Sequence, residues 1–172
     1  MPEEPESAWS EIGTVIREAV TPDDFALAGA LFREYAGSLG FELDFQDFEE
    51  ELANLPGSYA SPSGCVLLAE VSGECAGCVA LRPFSDGVCE MKRLYVRVAF
   101  RRRGIGGVLA RSAIARAERI GYTHMRLDTI STMSSANSLY HSLGFAEIPQ
   151  YRPNPIPGAR YFELDLAGTP SE

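Results

Sequence analysis

The sequence has no long apolar run and no apolar leader at its start. None of its apolar stretches reaches the roughly 20 residues that a membrane-spanning helix needs. The first residues, MPEEPESAWSE, are acidic and lack the apolar core of a secretory signal, so we predict a flexible acidic tail over residues 1–12. These absences predict a cytoplasmic protein that does not bind membranes.

Zinc ligands are also scarce. The chain has four cysteines and two histidines, and Cys75 and Cys78 form one CxxC pair without a second pair to complete a zinc site. The surrounding segment, CAGCVAL, is typical of a β-strand, on which residues three apart point to opposite faces. We therefore expect buried free thiols in a reducing compartment and no bound metal.

Basic residues are few in the first part of the chain. Residues 1–70 hold only Arg17 and Arg33 against 15 acidic residues, and the net charge of the chain is −9. Nucleic-acid-binding domains are usually basic, so this charge argues against nucleic acid as a partner. Six of the 15 bases lie between Lys92 and Arg103, which predicts that an anionic ligand is drawn to that segment.

The length and the order of the elements predict one mixed α/β domain over residues 13–168. A chain of 172 residues, of which 45% are apolar, suits a single domain with a buried core. Periodicity and turn residues predict the order β-α-α-β-β-β-α-β-α-β, a central sheet flanked by helices. The residues predicted to begin or end helices are Thr21, Asp44, Gly121 and either Ser134 or Ser135.

The segment FRRRGIGG, residues 100–107, has the composition of a phosphate-binding loop. It is not a P-loop, because no Lys-Ser or Lys-Thr follows the glycines. It is not a dinucleotide fingerprint, because Leu109 fills the third small position and the preceding strand ends too early. A solvated basic loop is the plain alternative. Glycines at the first turn of a helix let backbone N–H groups approach a ligand, so a pyrophosphate fits here without a metal.

Two segments together resemble the GNAT superfamily of acyl-CoA-dependent N-acyltransferases. KRLYVRVAFRRRGIGGVLA is similar to the strand, loop and helix that grip coenzyme A, and Arg101, Gly104 and Gly106 fit the family signature. MRLDTI followed by SANSLYHSLGF is similar to the next strand and helix of that family. The resemblance covers most of residues 14–166 and implies a mostly antiparallel mixed sheet. CEMKRLYV and an NPxPGxRxxEL ending further resemble a bacterial subgroup of small-molecule N-acetyltransferases.

The resemblance implies acetyl-CoA as the cofactor. Its pyrophosphate is expected on the backbone of residues 102–107, and its pantetheine arm along the backbone of Leu94 and Val96. Asn137 is expected to contact the pantetheine arm or the diphosphate. The predicted cofactor-binding residues are therefore Leu94, Tyr95, Val96, Arg101, Arg102, Arg103, Gly104, Ile105, Gly106, Gly107 and Asn137.

Two side chains are predicted to be catalytic. Glu90, six residues before Val96, is the candidate general base, and strand alternation predicts that it shares a face with Lys92, Leu94 and Val96. A structural ion pair with Lys92 or Arg93 is the alternative, with the amine proton leaving through waters. Tyr140 falls where the family places the general acid for the coenzyme A thiolate. A packed aromatic on a short helix is its alternative.

The acceptor pocket is expected between the two N-terminal helices and the loop around residue 151. An acidic helix over residues 45–52 favours a polyamine, whereas Lys92, Arg93 and Arg82 favour an amine that carries a carboxylate, and the sequence leaves both open. The candidate acceptor-binding residues are Tyr35, Phe41, Phe45, Arg82, Arg93, Tyr151 and Asn154.

The predicted function is acetyl transfer from acetyl-CoA to a primary amine of a small molecule, directly within a ternary complex. One alternative is a non-catalytic module that binds or senses acyl-CoA. The other is an acetyltransferase acting on protein N-termini or lysines. We expect a monomer or a homodimer.

Overall fold

The computed structural model describes residues 13–40 and 47–166. No helix in these two ranges is both long and apolar enough to cross a bilayer. Several predicted features lie outside the described residues: the acidic tail over 1–12, the cap Asp44, the aromatic residues Phe41 and Phe45, and the domain end at 167–168.

Seven strands and four α-helices make up the described part of the chain. The strands are β1 (Thr14–Glu18), β2 (Cys65–Val71), β3 (Glu74–Ser85), β4 (Val88–Val96), β5 (His124–Ile130), β6 (Ala146–Ile148) and β7 (Ala159–Asp165). The helices are α1 (Pro22–Ser38), α2 (Phe48–Ala53), α3 (Ile105–Ile120) and α4 (Ser134–Ser142), with 3₁₀ turns at Gly57–Tyr59 and Val98–Phe100. The predicted element order is confirmed, with one addition. The short strand β6 was not predicted, because three residues are too few to show a period.

The strands form one sheet in the order β1-β2-β3-β4-β5-β7-β6. Neighbours pair antiparallel except β4 and β5, which run parallel. The predicted fold class, a mixed and mostly antiparallel sheet flanked by helices, is confirmed. The parallel pair joins the strands that precede and follow α3.

Both faces of the sheet are covered. Residues of β2 alternate between the two cores: Leu67 packs beneath α3, and Leu68 packs beneath α1. Ile105 and Leu109 of α3 are almost fully buried in the first core, and Phe32 of α1 is fully buried in the second. Each strand near the centre of the sheet therefore carries apolar residues on both sides, as in other sheets covered on both faces.

The predicted ends of α1 and α3 are confirmed, and the predicted start of α4 is wrong. Thr21 caps α1 in a reciprocal capping box with Asp24, and Gly121 ends α3 with a φ of +110°. The predicted serine cap of α4 is wrong: Met133 is the N-cap and makes no side-chain cap bond, and Ser134 is the first helical residue.

A bulge in β4 changes which residues share a face. Arg93 has a φ of +62°, beside a register shift against β3. An extra residue in one strand inverts the alternation beyond it. Glu90 and Lys92 therefore lie on the face opposite α3, whereas Leu94 and Val96 pack against the core beneath α3. The prediction that all four share one face is wrong, because nothing in the local sequence marks the bulge.

A second register shift, in β3 against β2, affects the CxxC pair. Ala76 packs beneath α3, whereas Cys75 and Cys78 both contact the core beneath α1. The predicted placement of the two thiols on opposite faces is therefore wrong. Both are free thiols whose pKa is raised by burial, and Cys65 and Cys89 are free as well.

Candidate active site

A cleft opens where β4 and β5 part. The two strands pair only from Val88 to Glu90 and from His124 to Arg126, although both continue beyond these residues. The cleft encloses a cavity of about 40 Å³. Its lining residues come from α1, β4, β5, α4 and the loop before β7: Tyr35, Leu39, Met91, Lys92, Arg93, Leu94, Leu127, Asp128, Thr129, Ile130, Met133, Tyr140 and Asn154. Five elements thus converge on one small space.

A buried pair of opposite charges lies in this cleft. Lys92 Nζ is 3.4 Å from Asp128 Oδ1, and Asn154 Nδ2 donates a hydrogen bond of 3.1 Å to Asp128 Oδ2. Burial lowers the pKa of Lys92 from 10.5 to about 8, in spite of the nearby carboxylate. Burial opposes ionisation of Asp128, but the charges of Lys92 and Arg152 outweigh it and lower its pKa. Asp128 therefore carries its charge at neutral pH.

We expect the stability contributed by Lys92 to rise with pH. Its folded pKa is below its unfolded value, so the penalty for burying its charge disappears as the pH rises through about 8. The free energy of unfolding of the unmodified protein, minus that of Lys92→Met, should grow by about 2 kcal/mol between about pH 7.5 and 10. Urea unfolding at the two pH values measures this difference. A constant difference would show that Lys92 titrates normally.

Tyr140 faces the cleft from α4. Its ring packs against Phe145 and Phe162, with centroid distances of 5.7 Å and 6.2 Å. Burial raises the pKa of the Tyr140 hydroxyl, so the hydroxyl keeps its proton through the neutral range. Tyr140 is thus packed against two aromatic rings and also lines the cleft. A packing role and a role as general acid therefore do not exclude each other.

The start of α3 offers unpaired backbone donors. Gly104 is the N-cap with a φ of +77°, and a Cβ built on it would meet nothing within 4 Å. The first intrahelical bond is donated by Val108 N to Gly104 O, so the N–H groups of residues 105–107 precede the helical ladder. This open helix start, with its partial positive charge, suits an anion.

The three predicted arginines are exposed, and two of them have contacts within the protein. Arg101 Nε donates a hydrogen bond of 2.8 Å to Val96 O, and its guanidinium lies over the Tyr95 ring. The Arg103 guanidinium lies over the Phe100 ring. Arg101 therefore holds the end of β4 beside the helix start.

Asn137 is bound to Ile130, which lines the cleft, and its side chain bears on whether the site fits coenzyme A. The residue is 5% exposed, and its Nδ2 donates a hydrogen bond of 3.0 Å to Ile130 O. Its Oδ1 is buried and accepts no hydrogen bond from the described residues. A buried acceptor without a donor is unfavourable, and an amide N–H of a pantetheine arm would satisfy it. The residues present fit the cofactor that the resemblance implies.

Glu90 lies at the centre of a separate polar network. Its Oε1 is 3.0 Å from Arg82 Nη2, and its Oε2 accepts a 2.7 Å hydrogen bond from Tyr151 and is 3.4 Å from Arg152 Nε. The alternative of an ion pair with Lys92 or Arg93 is wrong. Lys92 pairs with Asp128, and Arg93 pairs with Glu51 at 2.8 Å. Glu90 is fully buried and does not line the cleft.

A second cavity, which we call the α2 cavity, has a volume of about 350 Å³. It is lined by α2 with its N-cap, the following loop, β3 and the loop before β7: Asp47, Glu50, Glu51, Asn54, Pro56, Gly57, Ser58, Tyr59, Arg82, Arg152 and Pro153. Among the described residues, no three His, Cys, Asp or Glu side chains are grouped so as to hold a metal ion in this cavity or elsewhere.

The predicted acceptor residues divide between these places. Tyr35, Arg93 and Asn154 line the cleft, and Arg82 lines the α2 cavity. Tyr151 lines neither, because its hydroxyl is bound to Glu90 and its ring packs on Phe84 and Tyr161. Sequence reasoning did not assign Asp128 to the site. Its signal was the one carboxylate in the strand segment MRLDTI, which the family resemblance already marked.

Comparisons with known proteins agree with this geometry. The family model described as Acetyltransferase (GNAT) family matches residues 29–145. An uncharacterised N-acetyltransferase of Schizosaccharomyces pombe is 42% identical over 84% of this chain and 88% of its own. The N-acetylaspartate synthetase of Danio rerio is 31% identical over 63% of this chain and 39% of its own. The yncA acetyltransferase of Salmonella typhimurium, solved with acetyl-CoA, has the same fold, with a TM-score of 0.71 and 22% identity over 92% of this chain and 97% of its own.

The matching family model and relatives show the class of protein to which this geometry belongs, an acyl-CoA-dependent N-acyltransferase. The chain belongs to the GNAT acetyltransferase family and is an N-acetyltransferase.

Proposed function

We propose that the protein transfers acetyl directly from acetyl-CoA to the amine of a small molecule, both bound at once. The observation that carries the proposal is the meeting of Tyr140 with the Lys92–Asp128 pair in one cleft beside the start of α3. A proton donor and a charged group able to hold an amine thus line the same small space.

Acetyl-CoA supplies the acetyl thioester, and named parts of the chain would hold it. The N–H groups at the start of α3 would bind the pyrophosphate, and Asn137 Oδ1 would accept a hydrogen bond from the pantetheine arm. The backbone of Leu94 and Val96 would lie along that arm. Since Arg101 Nε is bound to Val96 O, an amide of the pantetheine arm would share that carbonyl with Arg101 or replace Arg101 there.

Asp128 is the carboxylate that we propose to contact the acceptor amine. It lines the cleft and is charged at neutral pH, whereas Glu90 does not line the cleft. The role of Glu90 as general base stays a prediction. Its contacts favour a positioning role, in which it holds Arg82 and Arg152 in place.

Tyr140 would donate its proton to the departing sulfur. Its raised pKa keeps the hydroxyl protonated, and no hydrogen bond to that hydroxyl is found within the described residues. The hydroxyl is therefore available to the thiolate, which needs a proton as the carbon–sulfur bond breaks.

A small molecule suits the site better than a protein chain. Arg152 and Pro153 line the α2 cavity, and Asn154 lines the cleft, so one loop covers both spaces. An extended peptide needs an open groove there. The name of the Danio rerio relative also gives a small molecule, N-acetylaspartate, as its product.

Steady-state kinetics test the proposal. With a panel of amines, thiol release at varied concentrations of both substrates should give intersecting double-reciprocal lines. Intact mass after incubation with acetyl-CoA alone should be unchanged, including at the four free thiols. Parallel lines with an acetylated protein would replace direct transfer by a covalent route. Binding of acetyl-CoA without thiol release from any amine would favour the sensing module.

A further inference from the structure

We propose that the α2 cavity binds a carboxylate of the acceptor, so that the substrate is an amine that also carries a carboxylate, in the manner of an amino acid. This inference rests on the proposed function, and it names the acceptor class that the proposal leaves open.

Two buried donors line this cavity without a hydrogen-bond partner. The Tyr59 hydroxyl is one: the residue is 1% exposed, and the hydroxyl makes no hydrogen bond to a described residue. The nearby Glu51 carboxylate, whose two oxygens both accept hydrogen bonds from Arg93, lies outside hydrogen-bond geometry with this hydroxyl. The Arg152 Nε is the other, since it lies 3.4 Å from Glu90 Oε2 without forming a hydrogen bond. Buried donors without acceptors are unfavourable, so both atoms point to a ligand that accepts hydrogen bonds.

The inner wall of the cavity has one positive charge in excess. Arg82 and Arg152 both line it, and they share the single carboxylate of Glu90. Glu51 is neutralised by Arg93 and so does not offset this excess. An arginine pair with one shared counterion is suited to a further carboxylate, which accepts hydrogen bonds with both oxygens.

The outer rim has the opposite sign. Asp47 and Glu50 line the cavity and are exposed. A positive wall inside a negative rim is complementary to a ligand with an inner carboxylate and a positive or neutral remainder. The rim would repel a second carboxylate.

The α2 cavity and the cleft are close enough for one small molecule to reach both. Arg93 lines the cleft, and its partner Glu51, at 2.8 Å, lines the α2 cavity. Pro153 lines one space, and the next residue, Asn154, lines the other. An acceptor with its carboxylate at Arg152 and Tyr59 could therefore place its amine toward Asp128.

Matched pairs of amines test this inference. Ornithine and putrescine, lysine and cadaverine, and arginine and agmatine differ only in the α-carboxylate. The assay adds the remaining standard amino acids and their carboxamides, and measures thiol release from acetyl-CoA. We expect kcat/KM to be at least about 10-fold higher for the carboxylate member of every pair that reacts.

Tyr59→Phe supplies the site-specific readout, because it keeps the ring and removes one donor. It should raise KM for the carboxylate acceptor about 10-fold and leave KM for acetyl-CoA unchanged. It should also reduce the difference in kcat/KM between an amino acid and its decarboxylated amine. Tyr122→Phe is the control, since its hydroxyl is bound to Ser63 O and Tyr122 lines neither space. Equal or better reaction of the decarboxylated amines would overturn the carboxylate site while leaving the proposed function intact. Thiol release from no amine, with acetyl-CoA bound, would overturn both.

Discussion

Tyr140→Phe should lower kcat by roughly 100-fold while leaving the affinity for acetyl-CoA within about threefold of its original value. General acids contribute about 10²–10⁴-fold, and the lower end applies because a thiolate is a fair leaving group without a proton. Phenylalanine keeps the ring contacts to Phe145 and Phe162, so the fold should not change. Thiol-release kinetics with saturating acceptor give kcat, and calorimetric titration gives the affinity.

The same Tyr122→Phe variant controls for the loss of a tyrosine hydroxyl. Its ring belongs to the core beneath α3, as does that of Tyr140, but it lies in the turn before β5 and does not line the cleft. It should keep its original kcat. If Tyr140→Phe also keeps its kcat, the hydroxyl does not donate the proton, and Tyr140 is only a packing residue.

Local signals predicted the elements well, because each depends on a few neighbouring residues. Thr21 caps α1 and Gly121 ends α3, as expected from sequence alone, whereas the reciprocal bond from Asp24 was not predicted. The glycine-rich start of α3 follows from the same local reasoning. The sequence therefore predicted where a pyrophosphate could bind before any tertiary contact was known.

Register and long-range pairing were not predictable in this way. The bulge at Arg93 depends on how β4 fits against β3, and it moved Leu94 and Val96 to the face opposite Glu90. Gly77 shows the fit: a Cβ there would collide with the backbone of Tyr95. The position of the bulge depends on residues of both β3 and β4. The sequence of β4 alone therefore assigns residues beyond the bulge to the wrong face of the sheet.

The partners of the buried charges show the same limit. Glu90 accepts hydrogen bonds from positions 82 and 151 and forms an ion pair with Arg152, and Lys92 meets Asp128 from 36 residues away. From the sequence of β4 alone, Lys92 and Arg93 were the expected partners of Glu90, because they are the nearest basic residues along the strand. The fold instead divides these charges between the cleft and the polar network behind it, and this division moves the proposed amine contact from Glu90 to Asp128.

Gly106→Glu should weaken acetyl-CoA binding by at least about 100-fold without lowering stability. A Cβ at Gly106 would lie 3.8 Å from Val96 Cγ2, an ordinary contact, so the fold can accept a side chain there. A carboxylate in the first turn of α3 is favourable for the helix dipole. It would occupy the space of the pyrophosphate and repel its charge, an effect of several kcal/mol at short range.

Gly106→Glu should thus lose affinity for acetyl-CoA while its thermal stability stays unchanged. Calorimetric titration with acetyl-CoA measures the affinity, and thermal unfolding of the free protein measures the stability. Arg119→Gln, in the last turn of α3, changes the net charge by the same one unit and should bind acetyl-CoA normally. Normal binding by Gly106→Glu would place the pyrophosphate away from the start of α3. An equal loss in both variants would trace the effect to net charge, since only a contact at the helix start distinguishes the two positions.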